Sequence, residues 1–331
     1  MVSLLGRYGM NKTILITGAT GFVGANLVHF LVKEKVDVHI LLRESSNTWR
    51  INSILSKLNK YYCDLTDREK TKRLISEIKP NIILHLAIYG GYPFQSNSLK
   101  MVDTNYIGTI NLLEVCIEEG FDCFINTGSS SEYGIKEKPM KESDLLEPIN
   151  IYGATKAAAT LYCYALAKKY NLPIFTLRLF SPYGYYEEPT RLIPYLIVSM
   201  LKNQEIKISS PYAVRDFIFI EDVIEAFLLT IEKKDKILPG TILNVGSGYD
   251  TKVIDIFKIL KEILDYRREF NLEGFPRDSD VLQIWRADIE KIQKTLGWNP
   301  KYNIEEGLVK TVEWFRENLY LYEKREMCVD R

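Results

Sequence analysis

The sequence of 331 residues contains few of the residues that build metal centres and covalent cross-links. It has five cysteines, an odd number at scattered spacings without a CxxC pair, and three dispersed histidines. A zinc site needs clustered Cys or His ligands, and a disulfide framework needs cysteines that can pair. We therefore expect neither a metal site nor structural disulfides.

Long apolar runs and an excess of charge are also lacking. No hydrophobic stretch approaches the roughly 18 residues that a transmembrane helix needs, and residues 1–10 lack the apolar centre of a signal peptide. Lys and Arg number 43 and so do Asp and Glu, whereas a nucleic-acid-binding protein normally presents a basic face. These absences predict a soluble cytoplasmic protein without a membrane or nucleic-acid partner.

What the chain does contain is an ordinary globular composition, with 46% apolar residues, and an N-terminal half that alternates two patterns. Short apolar runs predict buried strands, and the segments between them predict helices, including Asn105–Glu118 and about Gly153–Lys169. The predicted strands are Thr13–Thr17, Val36–Leu42, Asn81–Ala87, Cys123–Thr127 and Pro173–Phe180. This alternation predicts an α/β fold with a Rossmann-type, doubly wound parallel sheet.

After about residue 180 the alternation weakens, and two amphipathic helices are expected at Lys252–Leu264 and Ile304–Asn318. We expect residues 1–180 to form the dinucleotide-binding domain, with 217–246 returning to it. Residues 181–331 would mainly form a smaller C-terminal α/β lobe for the substrate. Because ligands of open α/β sheets bind at the carboxyl ends of the strands, the cleft should lie between the two parts.

Residues 14–24 read ILITGATGFVG and place Gly18, Gly21 and Gly24 between the first strand and the first helix. The first glycine permits a tight turn, the second lets backbone N–H groups approach a pyrophosphate, and the third allows close helix–strand packing. This context predicts dinucleotide binding. The same loop supplies further candidate cofactor ligands, namely Thr20, Phe22 and Val23.

The end of the second strand bears on the choice between NAD and NADP. Arg43, Ser45 and Ser46 follow it, and a cation with two hydroxyls suits the 2′-phosphate of NADP(H). Glu44 leaves NAD(H) as the second choice, because a shift of one residue would place its carboxylate at the ribose. Further along, Asp64 and Leu65 are expected to hold the adenine.

Residues 152–156 read YGATK, a Tyr-x-x-x-Lys pair. Positions i and i+4 share a helix face, so the Lys156 ammonium would lie beside the Tyr152 phenol and lower its pKa towards the range needed for proton transfer. Thr127 and Ser129 lie at the end of the predicted strand at 123–127, where the Ser129 hydroxyl would bond a substrate oxygen. This combination indicates hydride transfer at a secondary alcohol or ketone.

With these motifs the chain resembles the extended short-chain dehydrogenases/reductases, in the nucleotide-sugar epimerase, dehydratase and reductase branch. The resemblance spans residues 12–318. It rests on TGATGFVG (17–24), HLA (85–87), SSSEYG (129–134), YGATK (152–156), LRLFSPYG (177–184), RLIP (191–194), VRDFIFIEDV (214–223), LNVGSG (243–248) and ADIEKIQKTLGWNP (287–300). It implies a nucleoside diphosphate sugar substrate and a homodimer built through a four-helix bundle.

The resemblance also implies roles for residues outside the local motifs. Cofactor contacts would come from Leu86, Ala87, Phe180 and Pro182. Candidate substrate contacts are Ser130, Ser131, Ser181, Arg191, Arg215 and Arg286, although Arg191 can instead only tie the lobes together. Tyr89 and Tyr92 are added because their segment follows the HLA strand end and should overhang the substrate; a loop that packs its aromatic rings against the lobe is the equal alternative. Arginine suits the diphosphate because its planar fork matches phosphate oxygens, although either Arg215 or Arg286 can instead belong to a salt bridge, for example to Asp216 or Asp288.

The 129–131 triplet bears on the reaction. The 4,6-dehydratases of this family carry Thr-Asp-Glu where this chain has three serines, and serine cannot do that acid–base work at neutral pH. Glu132 is displaced by one position and is expected to point elsewhere. Our main hypothesis is NADPH-dependent reduction of a 4-keto-6-deoxy sugar nucleotide with Tyr152 as proton donor. The alternative is an NAD-dependent 4-epimerase, ahead of a dehydratase or a non-catalytic dinucleotide sensor.

Overall fold

The predicted alternation of strands and helices produces a seven-stranded parallel sheet with helices on both faces. The computed structural model describes residues 12–273 and 284–323. The strands are β1 (Ile14–Thr17), β2 (Val38–Leu42), β3 (Asn59–Tyr62), β4 (Ile82–His85), β5 (Cys123–Ser129), β6 (Ile174–Leu179), β7 (Ser181–Tyr183), β8 (Ile206–Ile208), β9 (Val214–Arg215), β10 (Phe217–Phe219), β11 (Ile242–Val245), β12 (Thr251–Lys252) and β13 (Phe270–Leu272).

The helices lie between and after these strands. They are α1 (Phe22–Lys33), α2 (Arg68–Ile78), α3 (Ser98–Val102), α4 (Gly108–Glu119), α5 (Ile151–Tyr170), α6 (Leu192–Leu201), α7 (Ile220–Lys233), α8 (Val253–Ile263), α9 (Glu290–Leu296), α10 (Ile304–Asn318) and α11 (Tyr320–Glu323). Among the helices of the described ranges, none is both long and apolar enough to cross a membrane.

The central sheet has the order β11-β6-β5-β4-β1-β2-β3. Every residue of β1, β4, β5 and β6 is buried, as expected for parallel strands covered on both faces. The edge strand β3 is mostly exposed. Because the order reverses between β1 and β4, the carboxyl ends of these strands open a crevice at a topological switch point.

The smaller lobe consists of three two-stranded pairs and the helices around them. β7 pairs with β10 and β8 with β13 in parallel, and β9 pairs with β12 in antiparallel orientation. The chain then returns to the central sheet as β11, which pairs with β6. One apolar cluster contains side chains of β1 together with Phe257 and Phe315 of the lobe, so the sheet and the lobe share a core.

Most predicted element boundaries shift by one or two residues, and two of the differences bear on the cavity. β5 continues to Ser129, two residues beyond the predicted end, and Ser129 itself pairs with Leu179 of β6. The helix expected from Asn105 begins as a five-residue π-helical turn, Asp103–Ile107, before α4. Asn105 in that turn bonds the backbone of Tyr89 through both its amide atoms, which couples the turn to the loop after β4.

A buried ion pair joins the ends of β5 and β6. Arg178 Nε donates to Glu132 Oε2 at 2.7 Å, and both side chains are almost completely buried. Arg178 also donates to the Tyr133 hydroxyl at 2.8 Å, and this hydroxyl donates to Asn244 Oδ1 of β11. Removing one member of a buried pair leaves an uncompensated charge, which typically destabilises a protein by about 3–5 kcal/mol.

We therefore expect Arg178→Leu to lower the free energy of unfolding by about 3–5 kcal/mol, measured by urea denaturation. Arg68→Leu is the matched control because its pair with Glu114 lies at the surface, where an ion pair contributes about 0–1 kcal/mol. The double variant Glu132→Leu/Arg178→Leu should lose less than Arg178→Leu alone. Equal losses in the Arg178→Leu and Arg68→Leu variants would contradict this account of the buried pair.

Candidate functional site

A cavity of about 1270 Å³ opens where the strand ends of the sheet meet the smaller lobe. Its wall includes the loop after β1, the ends of β2, β4 and β5, the start of α5 and the segments around β7 to β9. The volume exceeds the usual range of about 300–1,000 Å³ for a site that holds one small molecule. A dinucleotide together with a second ligand therefore fits it better than a single small ligand.

The glycine-rich loop has the geometry that a pyrophosphate needs. Gly18 has a φ of +73°, and a Cβ there would lie 2.4 Å from the carbonyl carbon of Leu86. A Cβ on Gly24 would lie 2.2 Å from the Gly18 carbonyl oxygen. α1 begins directly after Gly21, and no side chain of the described residues caps its first N–H groups. These donors, with the positive end of the helix dipole, fit a pyrophosphate.

The remaining candidate cofactor residues also lie in the cavity wall. They are Thr20, Phe22, Val23, Asp64, Leu65, Leu86, Ala87, Thr127, Phe180 and Pro182. The Thr127 hydroxyl is buried and has no hydrogen-bond partner within the described part of the chain. A buried hydroxyl of this kind costs free energy unless a ligand or water satisfies it, so Thr127 fits a group that binds in the cavity.

At the end of β2 the chain forms a turn in which Arg43 and Ser46 bond each other. The Arg43 N–H donates to Ser46 Oγ at 2.8 Å, and the Ser46 N–H donates to the Arg43 carbonyl at 2.9 Å. Arg43, Ser45 and Ser46 line the cavity. Glu44 is exposed and is not among the described residues that line the cavity.

The predicted catalytic group assembles at the junction of β5 and α5. The predicted lowering of the Tyr152 pKa by Lys156 is not what the structure gives: burial raises this pKa to about 12, and a hydrogen bond from the Ser129 side chain opposes that rise. Lys156 lies one helical turn after Tyr152 and is buried; burial lowers its pKa, which the nearby Glu132 carboxylate opposes. A phenol, a hydroxyl and an ammonium thus converge on one wall of the cavity.

Glu132 connects β5 and α5, the strand and the helix that carry Ser129, Tyr152 and Lys156. Its Oε1 accepts the Ser129 N–H at 2.8 Å and the Thr160 hydroxyl at 3.0 Å. Asn150 caps α5 by accepting the N–H of Gly153 at 2.7 Å, which sets the start of the helix just before Tyr152. The prediction that Glu132 points elsewhere is confirmed, since its other oxygen bonds Arg178.

Arg191 and Tyr92 also line the cavity, and both act electrostatically on Tyr152. The Arg191 guanidinium lies 5.4 Å from the centroid of the Tyr92 ring, and its Nη2 donates to the Gly91 carbonyl. Arg191 opposes the rise that burial causes in the Tyr152 pKa, whereas Tyr92 adds to that rise. The other candidate substrate residues in the wall are Ser130, Ser131, Ser181 and Arg215.

Two predicted substrate residues lie elsewhere. Tyr89 packs its ring 4.9 Å from the Lys100 ammonium, and Arg286 forms an ion pair with Asp250 at 2.9 Å. Neither is among the described residues that line the cavity. Tyr89 turns away because Asn105 holds its backbone. Arg286 does form a salt bridge, which was the alternative to substrate binding, but its partner is Asp250 and not Asp216 or Asp288.

The structure adds wall residues that the sequence patterns did not identify. Trp285 Nε1 donates to Ser130 Oγ at 3.1 Å, and the Arg215 guanidinium lies 5.4 Å from a Trp285 ring centroid. Glu187 and Thr190 also line the cavity, in the loop before α6. The adjacency of Trp285 to the ADIEK motif was the one available signal, whereas Glu187 resembled an ordinary loop charge.

Comparison with known proteins identifies the family. Residues 14–246 match the model of the NAD dependent epimerase/dehydratase family. The chain is 31% identical over 319 residues to the UDP-glucuronate 4-epimerase of Thermodesulfobacterium geofontis, covering 93% of this chain and 97% of that protein.

Solved structures agree with this match. The UDP-glucose 4-epimerase of Thermotoga maritima, crystallised with UDP-glucose, is 31% identical, with a TM-score of 0.84 over 93% of this chain and 99% of that one. The dTDP-glucose 4,6-dehydratase of Bacillus anthracis, in complex with NAD, is 25% identical, with a TM-score of 0.81 over 94% of this chain and 98% of that one. The chain belongs to the NAD-dependent epimerase/dehydratase family and is an enzyme of the extended short-chain dehydrogenase/reductase type.

Proposed function

We propose that the protein is an NAD-dependent 4-epimerase of a nucleoside diphosphate hexose. One observation carries the proposal: Tyr152 is hydrogen bonded by Ser129 with Lys156 one turn behind, whereas the adjacent wall positions are Ser130 and Ser131. Proton transfer at C4 needs only Tyr152, Ser129 and Lys156, whereas water elimination would need carboxylic acids at positions 130 and 131. The 31% identities to two 4-epimerases support this choice over the sequence-based hypothesis of a 4-ketoreductase.

Tyr152 is the proposed acid–base residue at C4. Its phenolate takes the proton of the C4 hydroxyl and returns a proton to the C4 oxygen after the sugar has turned its other face. The Lys156 ammonium stabilises the phenolate, and Ser129 bonds the C4 oxygen while it also holds Tyr152. Bound NAD supplies the hydride acceptor and then the donor. The large volume of the cavity supports a mechanism in which the sugar rotates.

The second candidate is NADPH-dependent 4-ketoreduction, and the turn after β2 favours it. Arg43, Ser45 and Ser46 line the cavity while Glu44 is exposed. A guanidinium with two hydroxyls suits a 2′-phosphate, whereas NAD binding typically uses an acidic residue at this place. The two candidates share Ser129, Tyr152 and Lys156 but differ in cofactor and in net redox change.

The decisive experiment identifies the dinucleotide that purified protein retains and follows its reactions. We expect retained NAD and interconversion of the C4 epimers of UDP-glucose or UDP-glucuronate without net NADH formation. Stoichiometric NADPH oxidation by a 4-keto-6-deoxy sugar nucleotide, without epimerisation, would replace the epimerase with the reductase.

Tyr152→Phe tests the acid–base role. Loss of the phenol should lower kcat by about 10²–10⁴-fold and change the NAD dissociation constant by less than about 3-fold, since the pyrophosphate cradle is untouched. Tyr170→Phe, near the other end of α5, is the matched control and should retain full activity. Turnover of the Tyr152→Phe variant within a few-fold of wild type would reject Tyr152 as the acid.

Arg43→Gln separates the two cofactors. Under the epimerase proposal, NAD binds more tightly than NADP, and the substitution changes the NAD dissociation constant by less than about 3-fold. If Arg43 instead contacts a 2′-phosphate, wild type binds NADP more tightly than NAD, and Arg43→Gln raises the NADP dissociation constant about 10-fold or more. That result in fluorescence titrations would support the reductase.

We also propose a homodimer in which α4 and α5 pair with the same helices of a second copy. Leu161 and Tyr164 of α5 are 53% and 43% exposed, and large exposed apolar patches typically mark association surfaces. Leu161→Glu should therefore convert a dimer to a monomer in light scattering, whereas the exposed Leu238→Glu should not. A monomeric wild type at micromolar concentration would contradict the proposal.

A further inference from the structure

The loop between β7 and α6 carries a buried acid in the cavity wall. Glu187 lines the cavity and is 7% exposed, and its Oε2 has no hydrogen-bond partner among the described residues. Three residues on, the Thr190 hydroxyl lies in the same wall and is equally unpartnered there. Leaving buried polar atoms without partners costs free energy. Two such atoms from one loop in the wall of a ligand cavity indicate groups that a ligand satisfies.

The loop holds Glu187 in place through its backbone. The Tyr322 hydroxyl donates to the Glu187 carbonyl at 2.9 Å, and Arg50 Nε donates to the Tyr186 carbonyl at 2.7 Å. Arg50 also pairs with Glu188 at 2.8 Å and donates to the Thr20 carbonyl at 3.2 Å. The guanidinium of Arg50 is therefore engaged by Glu188, and the Glu187 carboxyl is left facing the cavity.

Burial keeps this carboxyl neutral at physiological pH. It raises the pKa of Glu187 to about 8, although Arg191, the Gly184 N–H and Arg50 all oppose the rise. The charged and titratable groups that face Glu187 are Arg191, Arg50, Glu188, Tyr92 and Tyr183. A neutral carboxyl can donate one hydrogen bond and accept others, as a sugar hydroxyl requires.

We propose that Glu187 and Thr190 form a subsite for uncharged hydroxyl groups of the bound hexose. This inference rests on the proposed nucleotide-sugar function and adds a specificity determinant to it. Tyr92 and Arg191 line the cavity and act electrostatically on Tyr152, and Glu187 and Arg191 act in the same way on Tyr92, so the subsite is assigned to the same region of the cavity as Tyr152. A phosphate group would instead require cations as partners, and Glu188 already engages Arg50.

The test compares Glu187→Leu with Glu187→Gln on the NAD-loaded enzyme, using calorimetry with UDP-glucose and with UDP alone. Leu removes the donor and should raise the UDP-glucose dissociation constant about 10-fold or more. Gln keeps a donor and an acceptor and should stay within about 3-fold of wild type. Binding of UDP should be unchanged in both variants. Equal losses for UDP and UDP-glucose, or a loss of NAD affinity instead, would overturn the sugar assignment.

Thermal unfolding of the ligand-free protein provides a second, independent measurement. Because Glu187 Oε2 lacks a protein partner in the described structure, Glu187→Leu should melt at or above the wild-type Tm, with the exposed Glu317→Gln as control. A fall of several degrees would show that the carboxyl has a structural role and would overturn the subsite. A wild type that binds no UDP-glucose contradicts the proposed substrate, and the Tm comparison then still tests the subsite.

The pH dependence of UDP-glucose binding tests whether the neutral form of the Glu187 carboxyl is the one that binds the sugar. The carboxyl donates only below its pKa of about 8, so UDP-glucose affinity of the wild type should fall as pH rises from 7 to 9.5. Tyr152 is present in both proteins, so any titration of its phenol affects the two profiles alike. Glu187→Gln should show no such fall, and UDP alone should show none in either protein. An identical pH profile for wild type and Glu187→Gln would contradict the proposal.

Discussion

The site depends on the interactions of one buried carboxylate, that of Glu132. It pairs with Arg178 from the neighbouring strand, accepts the Ser129 N–H and contributes the negative charge that counters the desolvation of Lys156. A buried ion is stable only when paired and fully hydrogen bonded. The positions of β5, β6 and α5 are therefore coupled, and the distance between the strand-end serine and the helical Tyr–Lys pair follows from that coupling.

Another part of the cavity wall is built from different elements. Arg191 and Glu187 come from the smaller lobe and Tyr92 from the loop after β4. Among the described residues, Glu187 Oε2 has no hydrogen-bond partner, and the same is true of the Thr127 hydroxyl in the same cavity. The cavity thus retains hydrogen-bonding capacity that a polar ligand can satisfy.

Few of the 21 tyrosines serve the site. The cavity wall of the described residues includes Tyr92, Tyr152 and Tyr195. Tyr183, Tyr185 and Tyr186 lie in the segment after β6 but pack against other aromatic rings, for example Tyr186 on His29 at 4.7 Å. Composition alone does not distinguish tyrosines of a cavity wall from those between sheet and lobe, since the two bury the same kind of surface.

The sequence by itself determined the features that depend on neighbours along the chain. The turn at Gly18, the helix face shared by Tyr152 and Lys156, and the bounds of α10 at Ile304–Asn318 all follow from local sterics and periodicity. Only the tertiary structure decided which distant side chains meet. Arg286 pairs with Asp250, and Trp285 reaches Ser130 across 155 positions of sequence. Such contacts depend on how the lobe packs on the sheet, which residue spacing does not encode.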